Sequence, residues 1–564
     1  MGILKKRHNV LCLNFKQLLE NGFFAKGTNQ LDELISIVQY ILSLDPDIIG
    51  FSSVASDFYV HLYISKKIRS ISKKVKIVFG GPEPSAVAHE AISKFPWVDS
   101  IAIGESEHNI LQLVECLIYE KGYEDVPGVV FQGQPNEGKS YQFIKNMDDL
   151  DLVYYDTNFE IEKVGTEFLF PIETGRGCPF RCIYCWSSTL PEIKYRRKSN
   201  KRILNEIVLL HTNHGIKAFD FTHDLFTHNK DIILELCSMF RERDLKISWS
   251  AHSRIDTIDE ILLRVMIDSG CKSLFFGIES GSERIQVLIN KKMSIKTVYE
   301  NIDMISKVGL PNPIFSFIYG FPQETDHDLE ETMNMISYLI QKGYSSIIMH
   351  RLSIFNSTKL YNLCKSNIKY GMPIDLSLTT APFDSYMECT KEIYEGNEMI
   401  FPYLFHLDTH SLNNYPSLAN FINHWVCLYA KNHRLSSRLL FFNGSALLRS
   451  YNFFVDYIDV HSLSMQDATL ENLEDVFVFI AKCVCDEETY DAFQAMHKFE
   501  KGLILIRQNK VETFSFRTKY NLLKTMKELL AYPRNKTHFL LGSVATATLT
   551  LSKGKIVISY KISG

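Results

Sequence analysis

The sequence predicts an α/β protein in three parts: an open parallel sheet, a central partial parallel barrel of six β-α units, and a mainly helical C-terminal region ending in strands. Three observations carry this. Short apolar runs alternate with segments of helical periodicity across residues 1–125 and again across 161–385. The strand ends in both blocks carry Gly, Ser or charged residues, as the ligand-binding edges of parallel sheets do. From about residue 386 to 564 the alternation gives way to apolar residues at helical spacing and then to alternating segments.

In the first block Val10 to Leu13 is short and apolar. Leu31, Leu34, Ile35, Val38, Ile41 and Leu42 then recur at helical spacing behind Thr28 and Asn29 as caps. Strands are expected at Ile48 to Phe51, Val75 to Phe79 and Ile101 to Ile103, with helices ending near Ser72 and near Ala86 to Lys94. Their ends read Ser52-Ser53, Gly80-Gly81-Pro82 and Gly104-Glu105-Ser106. Residues 126–160 form a connector in which Val129 to Phe131 and Tyr141 to Ile144 flank a Gly, Pro and Asn turn, the pattern of a hairpin.

The second block offers six strands: Phe168 to Ile172, Ala218 to Phe221, Lys246 to Trp249, Ser273 to Phe276, Phe315 to Tyr319 and Ile347 to Met349. Helical segments alternate with them, the first ended by Gly215. Residues 396–530 read as mostly helical, and His538 to Ile562 alternates like strands around Ser552-Lys553-Gly554-Lys555.

Composition narrows the function classes. A chain of 564 residues with 46% hydrophobic and 22% charged residues has core enough for several domains. Its net charge of -4 gives no overall basic field of the kind that attracts nucleic acid. The one basic run, Lys194 to Arg202, reads as a solvated loop leading into a helix. No run approaches the ~18 apolar residues of a membrane span, and the N-terminus lacks a signal-peptide core, so a cytoplasmic protein is expected. Nine of the twelve cysteines are scattered, which is the usage of a reducing compartment.

The other three are Cys178, Cys182 and Cys185, spaced C-x3-C-x2-C between Gly175 and Trp186. Three thiolates this close can share a soft metal centre, either zinc or an iron-sulfur cluster. No fourth Cys or His follows at zinc-finger spacing, so a cluster with one open position fits better than a closed zinc site.

This triad, with Tyr184 before its last cysteine, resembles the signature of the radical S-adenosylmethionine (SAM) enzymes. The resemblance implies a [4Fe-4S] cluster whose open iron binds SAM, an external electron donor, and a 5'-deoxyadenosyl radical that abstracts hydrogen from a substrate. It also implies roles for further residues. Gly277-Ile278-Glu279-Ser280-Gly281-Ser282-Glu283 resembles a strand-four motif in which Glu279 faces SAM. Arg254, in Ser250-Ala251-His252-Ser253-Arg254, matches an arginine that pairs with the SAM carboxylate. Ile318 and Gly320, in Phe317 to Glu324, match residues that pack the adenine, and Asp224 lies where relatives place groups near the SAM amino end. His223 and the pair His350-Arg351 are substrate candidates.

Pro46 to Ser52, Gly80-Gly81-Pro82 and Gly104-Glu105 resemble the Rossmann-like cobalamin-binding domain fused ahead of one large radical SAM class. Ser52, Gly80 and Gly81 would then face the cofactor. No Asp-x-His-x-x-Gly loop is present, and against that resemblance the chain is expected to lack the domain's first β-α unit. The expectation is therefore a radical SAM enzyme acting on a small molecule or peptide, with no nucleic-acid or membrane partner. Three outcomes remain open: a cobalamin-dependent methyltransferase, a cobalamin-free epimerase or rearrangement enzyme whose first domain is a scaffold, and a non-catalytic cluster or zinc protein.

Overall fold

The computed structural model describes residues 2–13, 30–123, 126–134, 143–151, 169–188, 195–374, 386–461, 463, 469–508, 513–520, 541–552 and 555–562. The chain divides into two compact units. One comprises Met1–Leu274, Ile289–Lys291 and Ser353–Asp408, the other Phe275–Leu288, Lys292–Leu352 and Thr409–Gly564.

The first unit opens with a four-stranded sheet in sequential order, β1 (Ile48–Ser52), β2 (Lys76–Gly80), β3 (Ser100–Ala102) and β4 (Val129–Phe131). Strands β1 to β3 are parallel, with Ser52 opposite Gly80 at the C-terminal ends of β1 and β2. The helix Gln30–Ser43 buries Leu34, Ile37, Val38 and Ile41, whereas Leu31 and Ile35 of the expected face are exposed. The helix Ala55–Ile71 starts where Val54 N–H donates to the Asp57 carboxylate at 2.8 Å.

The cap candidates Thr28 and Asn29 lie outside the described residues. The turn of the expected hairpin and residues 141–142 of its second strand lie outside the described residues, while Val129 to Phe131 is a strand that runs antiparallel to β3, Ser100 opposite Phe131. Val129 and Phe131 complete a buried core with Leu113, Cys116 and Leu117.

All six strands expected in the second block are present, together with a two-residue ribbon. In chain order they are β5 (Phe170–Glu173), β6 (Gly175–Arg176), β7 (Arg196–Arg197), β8 (Ala218–Thr222), β9 (Ser248–Ser253), β10 (Cys271–Glu279), β11 (Ile314–Tyr319) and β12 (Ile347–Arg351). Their sheet has the order β12-β11-β10-β9-β8-β5, as successive right-handed β-α units require. The pairs β5–β8, β8–β9, β10–β11 and β11–β12 are parallel. Gly215 ends the helix Asn200–His214 in a left-handed conformation, as its position predicts. In the second unit the Asn423 side chain donates to Met349 O and accepts from Met349 N–H, satisfying the backbone of β12.

The basic run is not a solvated loop. Arg196 pairs with Glu105, and Lys198, 1% exposed, pairs with Glu206. A buried ammonium needs such a partner, and the sequence pattern gave no sign of one.

Beyond the barrel, β13 (Ile368–Pro373) pairs antiparallel with β14 (Phe405–Leu407) in the first unit. In the second unit the helices Gly444–Val460, Leu470–Val484 and Glu487–Arg507 match the helical expectation. A strand within that span does not: β15 (Thr513–Tyr520) joins β16 (Leu541–Ser552) and β17 (Lys555–Ile562) in an antiparallel sheet. Its Thr-Phe-Ser-Phe-Arg-Thr-Lys-Tyr alternation has period two, which is the period of a strand. Residues 553–554 of the expected turn lie outside the described set. No helix among the described residues is long and apolar enough to cross a membrane.

The core of this helical region holds a stack of imidazoles. His433 lies 4.8 Å from the Tyr429 ring and 4.6 Å from His497, and neither of its ring nitrogens has a hydrogen-bond partner. Burial, with His497 and Lys501 nearby, pushes His433 down to about 3, and burial holds His497 at about 4. Their folded values lie below the unfolded value near 6.5, so their stabilising contribution is complete above that pH and is lost as pH falls toward 4. Buried Glu500, pushed up to about 7, acts oppositely, losing its contribution as pH rises from ~4.5 through 7. His433→Phe is therefore expected to stabilise the protein more at pH 5 than at pH 8, read as the shift in urea midpoint.

Candidate active site

The cysteine loop leaves the sheet at the end of β5. Gly175 and Arg176 pair antiparallel with Arg197 and Arg196, and a Cβ on Gly175 would lie 2.5 Å from Arg196 O and 2.7 Å from His223 Nδ1. Only glycine fits there. Gly177 N–H then donates to Asp224 Oδ2 at 2.8 Å, so one oxygen of Asp224 holds the loop itself.

The loop is fastened along its length by groups that do not involve the thiols. Ile183 N–H donates to Ile289 O at 3.0 Å, Leu360 N–H to Ile183 O at 2.9 Å, and Asn290 Nδ2 to Arg181 O at 2.6 Å. Cys182 is buried, while Cys178 and Cys185 are partly exposed. Burial pushes the Cys185 thiol up to about 11 and raises Cys178, and the Cys182 charge acts on both. Among the described residues no three His, Cys, Asp or Glu side chains are grouped closely enough to hold a metal as they stand, these thiols included. As a donor set, three sulfurs on one anchored loop, the middle one acting on both others, suit an iron-sulfur centre, which would take them as thiolates and release their protons.

Arg254, at the end of β9, places its guanidinium 3.8 Å from the Phe180 ring centroid. Two of its nitrogens grip Asp256, at 2.9 and 2.7 Å, and one also reaches Lys291 O at 3.2 Å. Its remaining terminal nitrogen is buried without a partner, which is the donor a carboxylate ligand would use. Tyr184 is half-buried, with its hydroxyl 3.5 Å from Lys291 Nζ. Phe180, Asp256 and Lys291 escaped the sequence reading; only the arginine-to-acid spacing of two could have pointed to Asp256.

Facing this loop within the same unit is a cavity of about 1030 Å³. Ser52, Gly80, Gly81 and Gly104 line one side, and Arg176, Gly177, Trp186, His223 and Asp224 line the other. The volume lies at the top of the ~300–1,000 Å³ range of small-molecule pockets, and its glycine-lined strand ends leave room where Cβ atoms would intrude. A large macrocycle fits these features. Gly81 has φ 101°, and a Cβ there would sit 2.8 Å from Ser53 N and closer still to its carbonyl oxygen. Because the obstacle is backbone, Gly81→Ala should cost about 2 kcal/mol of stability, measured by chemical denaturation.

His223 lies buried in the cavity wall, stacked 4.8 Å from Tyr195, with no hydrogen-bond partner on either ring nitrogen. Burial, assisted by Arg197, holds it near 3, so it is a neutral imidazole at pH 7.

Glu279, Ile318 and Gly320 belong to the second unit. Glu279 is buried at the end of β10 with φ 72°, where the register against β11 shifts. A non-glycine residue held in that region signals a side chain aimed for a purpose. Its neighbours have structural work: Gln286 Nε2 donates to Ile278 O and Ser280 O, Gly281 N–H to Thr332 Oγ1, and Ser282 Oγ to Asp328. Ile318 is half-buried in β11. Gly320 N–H donates to the buried Glu324 carboxylate at 2.7 Å. His350 ends β12, its proton affinity lowered by burial and partly restored by Glu279.

An open sheet of three parallel strands and one antiparallel edge strand with a glycine-lined cradle, followed by a six-stranded sheet whose first strand leads into a three-cysteine loop, has the layout of a cluster-and-SAM protein with a cobalamin-type domain ahead of it. Residues 172–336 match the radical SAM superfamily and residues 20–114 match the B12-binding domain. The chain thus carries a radical SAM domain and a B12-binding domain; the first implies a [4Fe-4S] cluster and SAM, and the second supports possible cobalamin binding. It is 31% identical over 308 residues, 54% of this chain and 66% of the other, to an uncharacterized methyltransferase of Pyrococcus horikoshii. It is 26% identical to the anaerobic magnesium-protoporphyrin IX monomethyl ester cyclase of Rubrivivax gelatinosus, over 56% of this chain and 58% of that one. The matched segments thus span less than two thirds of these curated relatives. The fold is that of the cobalamin-dependent S-adenosylmethionine radical enzyme OxsB solved with aqua-cobalamin and S-adenosylmethionine, at TM-score 0.55 and 16% identity over 85% of this chain and 75% of that one. It is also that of the radical SAM methyltransferase TsrM of Kitasatospora setae, at TM-score 0.54 and 16% identity over 72% and 86%.

Proposed function

We propose that this protein is a cobalamin-dependent radical SAM methyltransferase acting on an unactivated carbon of a small-molecule or peptide substrate. The observation that carries the reading is the cavity of about 1030 Å³, which has the strand ends of the B12-binding domain on one side and the cysteine loop on the other. A scaffold domain would have no reason to keep a glycine-lined cradle open toward that loop.

When bound, the cluster supplies the electron that cleaves SAM, and cobalamin carries a methyl group. The chain's own residues bind and orient. Cys178, Cys182 and Cys185 hold the cluster, and the free nitrogen of Arg254 receives the SAM carboxylate. Asp224 orders the loop through Gly177, and Glu279 accepts hydrogen bonds from SAM. His223 presents an uncharged donor and acceptor toward the cavity.

The test uses protein reconstituted without oxygen, loaded with hydroxocobalamin, desalted, and given dithionite and methyl-labelled SAM. Formation of 5'-deoxyadenosine, with label in the retained cobalamin fraction, supports methyl transfer. A cyclase among the relatives favours a second reading, hydrogen abstraction without methyl transfer. Deoxyadenosine with retained but unlabelled cobalamin would select that reading, and absence of retained cobalamin would make the first domain a scaffold.

A further inference from the structure

The acidic end of β3 does something other than bind a ligand. Glu105 follows Gly104 at the cavity edge, yet both its carboxylate oxygens are engaged by protein. Arg196 meets them through two nitrogens, at 2.6 and 2.9 Å. Ile144 N–H donates at 2.8 Å, and Arg176 approaches at 3.3 Å. Arg176 and Arg196 are register partners in the ribbon that begins the cysteine loop, and Arg176 stands two residues before Cys178. Arg176 is held further by Glu107 at 2.6 Å and Glu173 at 2.7 Å, and Arg196 donates back to Ile144 O at 2.6 Å. The Glu105 and Arg196 side chains are only 13% and 10% exposed. Bidentate, charge-assisted contacts this sheltered are strong, directional and little screened by salt.

We infer that Glu105 is a positioning residue, which through Arg196 and Arg176 fixes the cysteine loop against the strand-end cradle of the B12-binding domain and so sets the separation of the two cofactor sites. This rests on the reading that cobalamin occupies that cradle. Among the described residues, Glu105 is the carboxylate that joins the end of β3, both strands of the ribbon and the connector at Ile144. Neutralising Glu105 removes the shared partner of two arginines and loosens the loop from the cradle without touching a thiol or a glycine of the cavity.

The experiment compares the natural protein, Glu105→Gln and Glu105→Asp, each loaded with iron, sulfide and hydroxocobalamin and desalted without oxygen. Iron and cobalamin contents are measured first. A mild reductant brings the bound cobalamin from cobalt(III) to cobalt(II), and the microwave-power saturation of its resonance is recorded with the cluster still oxidised and diamagnetic, and again after dithionite has made the cluster paramagnetic. In the natural protein, reducing the cluster should speed cobalt relaxation. Glu105→Gln should keep both cofactors and lose most of that enhancement. Glu105→Asp, which keeps the charge on a shorter arm, should fall between them, and it serves as the deciding variant if Glu105→Gln does not fold. Unchanged enhancement in a variant that holds both cofactors overturns the inference alone. A natural protein that retains no cobalamin overturns the functional reading and the inference together.

Discussion

Cys182→Ala is expected to leave the protein folded but without an iron-sulfur cluster and without SAM cleavage. Cys182 is the middle and most buried thiol of the triad, and its charge acts on both of the others. Losing an outer-shell partner of a metal ligand commonly costs ~10–100-fold in affinity or activity, so losing a direct ligand should exceed that. The loop itself should survive, because Gly177–Asp224, Ile183–Ile289 and Asn290–Arg181 fasten it through backbone and amide groups. Iron content, 5'-deoxyadenosine and far-ultraviolet circular dichroism report the three parts separately. Deoxyadenosine at the natural level would sink the assignment of Cys182 as a ligand, and collapse of the fold would instead favour a structural metal.

Glu279→Gln should weaken SAM binding by roughly 10–100-fold, the equivalent of the ~1.5–3 kcal/mol carried by a hydrogen bond to a charged group. Gln is nearly isosteric and meets the same positive φ, so the comparison isolates charge. The turn around it is held independently, by Gln286 on Ile278 and Ser280 and by Thr332 on Gly281, and the unfolding midpoint should move little. A second readout comes from His350, whose proton affinity Glu279 supports. Without the carboxylate, His350 should titrate at still lower pH, visible by NMR. Unaltered SAM affinity together with a shifted His350 would show that Glu279 faces the histidine and not the cofactor.

The elements that were legible from residues alone are those whose signal is local. Ile48 to Phe51, Val75 to Phe79 and all six strands of the second sheet are short apolar runs between helices of clear period, and the structure places strands at each. Gly215 and the C-x3-C-x2-C spacing are local in the same sense. What was missed or misread depends on partners distant in sequence. The pairing of Val129 to Phe131 with β3, nearly thirty residues back, leaves no mark in the local pattern. Lys194 to Arg202 looked like a solvated run because charge density is visible in sequence and counter-charge at Glu105 is not.

The same division holds at the site. The sequence by itself determined the three-cysteine spacing, the class of protein and the glycine-lined strand ends, because thiol spacing and the absence of a Cβ are properties of residues read in order. Only the tertiary structure decided how these parts are held. It showed that one oxygen of Asp224 is spent on Gly177, and that Arg254 keeps one nitrogen free while Asp256 and Phe180 fix the rest. It showed too that Glu105 grips arginines instead of facing a ligand. Hydrogen bonds and ion pairs act over about 3 Å, and which groups come that close is set by how the chain folds back on itself.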